Sequence, residues 1–342
     1  MAIFPQFGKQ PSGARLARIQ QSPNFKNNRF ENIDFTPNMS EEFSASKLLK
    51  SYISPVAKEP TPVHGVPFEK NNLHQLLDNS LVWFGHSSYL LKFEGLTFLI
   101  DPVFSGSASP FSFNIKSFKG SNEYQVEDMP AIDYLIISHD HYDHLDYKTI
   151  LALKSKVGHI ICGLGVGEHF EFWGYSPELI TELDWHEQIQ LKNNVKIRAT
   201  PARHFSGRGF KRNNTLFCSY ILSSESQQLF LGGDSGYGSH FKTIGEQYGP
   251  FDFGILECGQ YNVMWKEIHT RPNEWAKVIS DLKLKSVMPV HFGKFKLALH
   301  DWNEPVQRFS EEVTSLNIPF FTPKIGAILQ WNQPAKNEKW WI

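Results

Sequence analysis

A run of six residues, His139-Asp140-His141-Tyr142-Asp143-His144, constrains this chain more than any other feature of its sequence. It directly follows the apolar stretch of residues 132–137, which predicts a buried strand. The loop that leaves the carboxyl end of such a strand is where α/β scaffolds place their chemistry. Three imidazoles and a carboxylate within this run offer donors suited to zinc, and also to iron or manganese. The alternative, an exposed polar loop, leaves this density of ligand-capable side chains unexplained.

Three further residues of the same chemistry follow later in the chain: His204, Asp234 and His291. Each lies just past a predicted strand and beside Gly or Pro, where the backbone can approach a ligand closely. One loop cannot fill two coordination shells, so a centre of two ions needs ligands of this kind at later strand ends. Each of the three alone could be a structural turn residue. Together, and in this order, they predict a shared metal site.

The rest of the chain alternates between strand and helix patterns. Strands are predicted at residues 81–84, 89–93, 97–100, 132–137, 158–162, 195–200, 216–222, 228–231, 253–256, 286–290 and 327–331. Helices are predicted at residues 41–52, 147–156, 168–173, 239–247, 272–282 and 305–316, with Pro272 in a first turn. Two groups of strands with helices outside them predict an α/β fold, a four-layered αββα sandwich over residues 76–342. Residues 1–75 show little periodicity and predict an irregular extension that packs on this core.

Composition limits the partners of the chain. The formal net charge is -1 and no long basic run is present, which excludes an electrostatic footprint for nucleic acid. Three widely spaced cysteines and the lack of an apolar leader or membrane-length run predict a cytoplasmic protein. Aromatic residues make up 14% of the chain, which fits a large aromatic core and leaves peripheral membrane contact open. The oligomeric state is not determined by these features.

The order of the ligand-capable residues, HxHxDH followed by His, Asp and His, resembles the metallo-β-lactamase superfamily. Several motifs are similar to its branch containing N-acylphosphatidylethanolamine-hydrolysing phospholipase D: Gly85-His86, Asp101-Pro102, residues 138–146, Gly233-Asp-Ser-Gly-Tyr237 and His291-Phe-Gly293. The resemblance covers about residues 80–300, with a weaker echo in Arg29-Phe30-x-Asn32 and Thr36-Pro37-Asn38. It implies the sandwich fold and a centre of two metal ions, two Zn²⁺ with Mn²⁺ or Fe²⁺ as alternatives.

The resemblance also implies a role for each ligand. One metal would be held by His139, His141 and His204, the other by Asp143, His144 and His291, and Asp234 would bridge them. Asp143, Asp234 and His269 are the expected catalytic residues, with His269 near the leaving group. A structural histidine at a helix N-terminus is the alternative for His269. His86 is expected to hydrogen-bond a metal-ligand carboxylate, or else to be a satisfied turn histidine. The other histidines are assigned to surface or core: His64, His74, His159, His169, His186, His240 and His300.

The function that these expectations favour is a binuclear metal-dependent hydrolase. The resemblance implies a phosphodiesterase of phospholipase D type, acting on N-acylphosphatidylethanolamine-like phospholipids through a metal-bridging hydroxide. A cytoplasmic lactone hydrolase of the same fold is the alternative, followed by a catalytically inactive metal-binding module. The substrate is thus a small molecule or a phospholipid, because the metal set by itself does not select the bond that is cleaved.

Overall fold

Two β-sheets stack face to face, and helices cover both outer surfaces. The computed structural model describes residues 4–37, 39–53, 57–209, 211–335 and 337–342, so Asn38 of the weaker motif lies outside the described residues. Apolar side chains from both sheets meet in one central cluster. A second cluster lies between the first sheet and its outer helices. The predicted four-layered αββα arrangement is confirmed.

The N-terminal extension adds short elements that dock onto this sandwich. They are a 3₁₀ turn at Pro5–Phe7, α1 (Gly13–Gln21), the hairpin strands β1 (Phe25–Lys26) and β2 (Arg29–Phe30), and α2 (Ala45–Ile53). Ile19 and Phe30 are fully buried in the central cluster. Phe35, by contrast, is 90% exposed, so not every Phe of the extension finds burial. The extension therefore contributes to the main core, although several of its large apolar side chains stay exposed.

The first sheet contains the strand that carries the histidine run. Its strands are β3 (Ser80–Trp83), β4 (Tyr89–Phe93), β5 (Leu96–Ile100), β6 (Ile132–Ile137), β7 (Val157–Gly163), β8 (Ile180–Leu183) and, on the far edge, β15 (Ile328–Gln330). Their order is β15-β3-β4-β5-β6-β7-β8. β5 to β8 run parallel, which places the ends of β5, β6 and β7 at one edge of the sheet.

The second sheet supplies the later ligands. Its strands are β9 (Gln188–Gln190), β10 (Lys196–Pro201), β11 (Cys218–Ser223), β12 (Gln228–Leu231), β13 (Phe253–Glu257) and β14 (Val287–Val290). Their order is β14-β13-β12-β11-β10-β9, and β12, β13 and β14 are parallel. The carboxyl ends of these three strands therefore lie side by side.

Helices flank the sheets on both sides. The α-helices are α3 (Tyr147–Ala152), α4 (Gly167–Phe172), α5 (Ser239–Gln247), α6 (Trp275–Leu282) and α7 (Glu304–Thr314). Further 3₁₀ turns span Leu73–Gln75, Val126–Asp128, Leu153–Ser155, Pro177–Leu179, Lys192–Asn194 and Val263–Trp265. Every helix in the described part of the chain falls short of the length and apolarity needed to cross a bilayer.

Several elements differ from prediction, most clearly α6, α2 and two short strands. Pro272 is not in a first turn, because α6 begins only at Trp275. Asn273 has a φ of 72°, a left-handed conformation that interrupts helical geometry before Trp275. α2 begins four residues after the predicted start, at Ala45. The short strands β8 and β9 were not predicted, because three or four residues give too little periodicity to detect.

Candidate metal centre

The ligand-capable loops of both sheets meet at one edge of the sandwich. Backbone hydrogen bonds join them directly: the His291 N–H donates to the His86 carbonyl at 2.9 Å, and the His86 N–H donates to the Phe292 carbonyl at 2.8 Å. Gly233, which precedes Asp234, has a φ of 60°, and a Cβ there would lie 2.9 Å from the Cys218 carbonyl oxygen. Only glycine fits that turn, so the backbone itself fixes the approach of Asp234.

Three histidines form the first group of donors. His139 Nε2 lies 2.8 Å from His141 Nδ1, and His204 Nε2 lies 3.3 Å from the same atom. Burial, and the neighbouring histidines, hold the pKa values of His139 and His204 well below their usual range. The rings are therefore neutral, and their lone pairs are free for a cation. This is the trio expected to share one metal.

The second group combines Asp143, His144 and His291, with His86 close by. His144 Nε2 lies 3.6 Å from Asp143 Oδ2. Burial would raise the pKa of Asp143, but the facing histidines keep it well below its usual range, so the carboxylate is ionised. An ionised carboxylate accepts hydrogen bonds only, so His86 Nε2 donates to Asp143 Oδ2, at 2.8 Å. The contact expected of His86 is present.

Asp234 lies between the two groups and is buried. Its Oδ2 is 3.1 Å from His144 Nε2, 3.9 Å from His139 Nε2 and 3.8 Å from His204 Nε2. Its Oδ1 is 3.0 Å from His291 Nδ1. Burial would raise the pKa of Asp234, yet His144 and His291 hold it well below its usual range. One carboxylate thus reaches donors of both groups, as a bridging ligand must.

Three buried atoms of the predicted ligands show that the residues fit metal ions. Within the described ranges, His141 Nε2, His144 Nε2 and Asp234 Oδ1 make no hydrogen bond. A buried polar atom without a partner costs roughly 1–3 kcal/mol, so such atoms are rare unless a ligand satisfies them. Neutral imidazole nitrogens and carboxylate oxygens are the donor set of zinc and related cations. The seven predicted ligand residues are therefore together and chemically suited to two cations.

Hydrogen bonds behind the ligands fix which ring nitrogen faces the centre. His144 Nδ1 lies 2.8 Å from Asp101 Oδ2, and His139 Nδ1 lies 3.0 Å from Ser138 Oγ. His204 Nδ1 donates to a backbone carbonyl, that of Ile268, at 2.9 Å. Each contact leaves the Nε2 atom of the ring for the centre. The Asp101-Pro102 motif thus has a physical role that the sequence alone does not show.

Asp140, inside the histidine run, points away from the centre and anchors the loop. Its carboxylate accepts hydrogen bonds from the Gly207 N–H at 2.6 Å and the Thr215 hydroxyl at 2.9 Å, and it lies 3.1 Å from His169 Nε2. His169, which was expected at the surface or in the core, is buried. Its link to the metal loop was missed, because the two residues are far apart in the sequence.

His269 lies beside the ligands of both groups. Its ring centroid is 5.2 Å from that of His204 and 5.1 Å from that of His291. Its Nδ1 lies 2.6 Å from Glu257 Oε2, and the other Glu257 oxygen accepts backbone N–H groups of Ser235 and Thr270. Since α6 begins only at Trp275, His269 is not the helix N-terminal residue of the alternative interpretation.

Glu257 is the acidic residue that the sequence analysis missed. Burial raises its pKa to about 7, although His269 opposes that shift. Burial would lower the pKa of His269, but Glu257 raises it. The available signal was a carboxylate at the end of an otherwise apolar strand, since an acidic residue is seldom buried without a partner.

Comparisons with known proteins identify relatives of this chain. Residues 97–292 match a family described as "Beta-lactamase superfamily domain". An uncharacterized protein of Mycobacterium tuberculosis is 34% identical over 339 residues, 96% of this chain and 91% of that protein. The N-acyl-phosphatidylethanolamine-hydrolyzing phospholipase D 1 of Caenorhabditis elegans is 30% identical over 269 residues, 73% of each chain. A solved structure of a metallo hydrolase from Ignicoccus hospitalis matches 73% of this chain and 97% of its own at 18% identity, with a TM-score of 0.57, which shows the fold alone.

Proposed function

This chain belongs to the beta-lactamase superfamily and is a metal-dependent hydrolase, and we propose that it is a phosphodiesterase of phospholipase D type. The proposed substrate is an N-acylphosphatidylethanolamine-like phospholipid, and peripheral contact with a membrane is part of the proposal. The observation that carries it is Asp234, whose two oxygens lie within 4 Å of donors from both histidine groups. The similarity to the Caenorhabditis elegans phospholipase D supports the choice of bond.

Two cations, which we propose to be zinc, would lower the pKa of a water molecule and polarise a phosphoryl oxygen when bound. His139, His141 and His204 would hold one of them, and Asp143, His144 and His291 the other, with Asp234 between them. The chain's own contribution is to fix these donors. Hydrogen bonds with Asp101, Ser138 and the Ile268 carbonyl hold the rings in place, and burial keeps His139 and His204 unprotonated.

His269 and Glu257 provide the proton chemistry. Because Nδ1 of His269 is bound by Glu257, its Nε2 is the atom available to substrate. Two backbone N–H groups hold the Glu257 carboxylate in place. An imidazole oriented in this way can carry a proton at Nε2 and deliver it to the oxygen of the departing alcohol. We therefore assign His269 to the leaving group and Glu257 to its orientation.

The proposal is tested with protein purified without chelator. Elemental analysis should give two metal ions per chain, and it also identifies zinc, manganese or iron. Activity is then measured on N-acylphosphatidylethanolamine, a bis-aryl phosphodiester and a lactone. We expect hydrolysis of both phosphodiesters. A metal-loaded protein that cleaves only the lactone would favour the lactonase instead, and one that cleaves none of the three would favour an inactive binding module.

Asp234→Asn and Asp78→Asn form a matched pair for this assay. Asp78 is exposed and accepts a hydrogen bond from the Gly95 N–H, which an asparagine side chain can also accept. Asp234→Asn should lose phosphodiester cleavage and metal, while Asp78→Asn should retain both. Equal activity in the two variants would remove Asp234 from the mechanism.

A further inference from the structure

A surface groove of about 640 Å³ opens beside the metal centre. One wall is the segment of residues 114–119, the other is the loop of residues 296–299, and Thr61 and Pro62 close one end. Three lysines line it: Lys116, Lys119 and Lys296. Neutral polar and apolar side chains make up the rest of the lining.

The lining of the groove is positively charged, and its three lysines have no acidic partner within the described part of the chain. Its lining contains no aspartate or glutamate. Four other surface pockets of this protein each include at least one acidic residue in their lining. Among the residues that the structure describes, the three lysine side chains make neither an ion pair nor a hydrogen bond. Ammonium groups gathered without counter-charges attract anions, although the chain as a whole carries a net charge of only -1.

Backbone hydrogen bonds hold the walls of the groove in place. The Phe118 N–H donates to the Lys294 carbonyl at 2.8 Å, which ties the first wall to the chain entering the second. The Lys119 carbonyl accepts the Val66 N–H at 2.8 Å. The Leu297 N–H donates to Gln260 Oε1 at 3.0 Å. The lysines therefore project from anchored backbone and not from free loops.

One buried residue, Phe295, lies between the groove and the metal centre, because it packs against Ile115 and Leu297 of the groove. Phe295 directly precedes Lys296, and its ring centroid lies 5.4 Å from that of His86. His86 in turn contacts Asp143 at 2.8 Å. The groove therefore lies near the metal centre but includes none of its residues.

We propose that this groove binds a phosphate-type anion at a site separate from the metal centre. This inference goes beyond the proposed phosphodiesterase function and does not depend on it. Lysine binds phosphate as a point charge, and Thr61, Asn114 and Ser117 add neutral polar groups to the lining. The apolar side chains of Ile115 and Leu297 suit the carbon skeleton of a phosphate ester. The anion comes either from a soluble phosphate ester or from a lipid headgroup.

The test removes the three lysines together. In Lys116→Gln/Lys119→Gln/Lys296→Gln, glycerol 3-phosphate should bind the metal-loaded protein about tenfold more weakly, as expected for three partly solvated ion pairs. The control is Lys26→Gln/Lys196→Gln/Lys339→Gln, which removes the same charge at exposed positions outside the groove. It should bind like the unchanged protein. Calorimetry is repeated after chelation, so that binding at the metal centre is subtracted. Equal binding by both triple variants would overturn the proposal.

A vesicle arm separates the two sources of the anion. Sedimentation with phosphatidylcholine vesicles is compared with and without added phosphatidic acid. Loss of the acid-dependent binding in the groove variant, but not in the control, identifies a headgroup. An effect confined to glycerol 3-phosphate identifies a soluble ester. If the groove variant folds normally and shows neither effect, the proposed anion site is contradicted.

Activity distinguishes this proposal from the proposed function. The groove variant should keep its kcat on a bis-aryl phosphodiester, because the groove includes no residue of the metal centre. If the unchanged protein cleaves no phosphodiester but the groove variant still loses glycerol 3-phosphate binding, the anion site stands and the phosphodiesterase proposal fails. If cleavage is present but binding is equal in the two triple variants, the phosphodiesterase stands and the anion site fails.

Discussion

Arg208→Met tests how the N-terminal extension supports the metal loop. The Arg208 side chain is buried, and its guanidinium donates only to carbonyl oxygens. Nη1 donates to the Asp140 carbonyl at 2.8 Å and to the Leu145 carbonyl at 2.6 Å, on either side of residues 141–144. Nη2 donates to Gln6, in the extension, at 2.8 Å. Tyr142 closes the arrangement by donating its hydroxyl to the Arg208 carbonyl at 2.6 Å.

The expected loss of stability follows from these contacts. Methionine leaves the carbonyls of Asp140 and Leu145 buried without these donors, at about 1–3 kcal/mol each. The variant also avoids the desolvation cost of a buried guanidinium, which offsets part of this loss of stability. We expect a net decrease of roughly 2–4 kcal/mol in the free energy of unfolding of the metal-free chain. A loosened loop should also weaken metal binding by about tenfold or more, as for other groups that support ligands.

The control is Arg198→Met at a more exposed position, where the guanidinium also donates to a carbonyl, that of His186, and lies over the Tyr248 ring. A surface change of this kind should alter stability by no more than about 0.5 kcal/mol. Urea unfolding of the metal-free variants gives the stability, and titration with cobalt(II), followed by its absorption spectrum, gives the metal affinity. If the two variants agree in both measurements, Arg208 does not support the loop.

Three further outcomes are expected. Asp234→Ala should weaken both metal sites and lower turnover by a factor of at least about a hundred, and full metal content with near-normal turnover would contradict its bridging position. His269→Ala should keep both metals but lower turnover, most strongly for substrates with poor leaving groups. Glu257→Gln should lower turnover in the same way. An equal decrease for substrates with good and poor leaving groups would exclude proton donation by His269. Burial lowers the pKa of Lys294 to about 7, whereas the pKa of lysine in the unfolded chain is roughly 10.4. Between these two pH values the unfolded state binds more protons than the folded state. The free energy of unfolding should therefore rise by about 1.4 kcal/mol per pH unit in this range. Comparing urea unfolding of the unchanged protein and Lys294→Met across this range measures the effect, and parallel curves would refute it.

The clustering of the candidate ligands could be predicted from the sequence because the pattern that indicates it is local. The run from His139 to His144 sits directly after a strand, and His204, Asp234 and His291 each follow another. The apolar pattern of a strand, and the glycine or proline that follows it, depend on only a few neighbouring residues. The layered fold followed from the same kind of signal, summed over many strands and helices. All seven predicted ligand residues lie together in the structure.

What the sequence did not determine are the groups that hold the ligands in place. Ser87 lies 2.9 Å from His291 Nδ1 although 204 positions separate them, and Arg208 donates to Gln6 across 202 positions. The predicted start of α6 at Pro272 was wrong for a related reason, since the left-handed Asn273 lies in the segment that presents His269. Such contacts depend on how the two sheets are stacked, and no local pattern encodes which distant side chain fills a buried position. The sequence alone therefore determined which residues are candidate metal ligands and their order along the chain. Only the tertiary structure decided which ring nitrogen of each histidine faces the centre, which carboxylate contacts His269 and where an unpaired cluster of lysines lies.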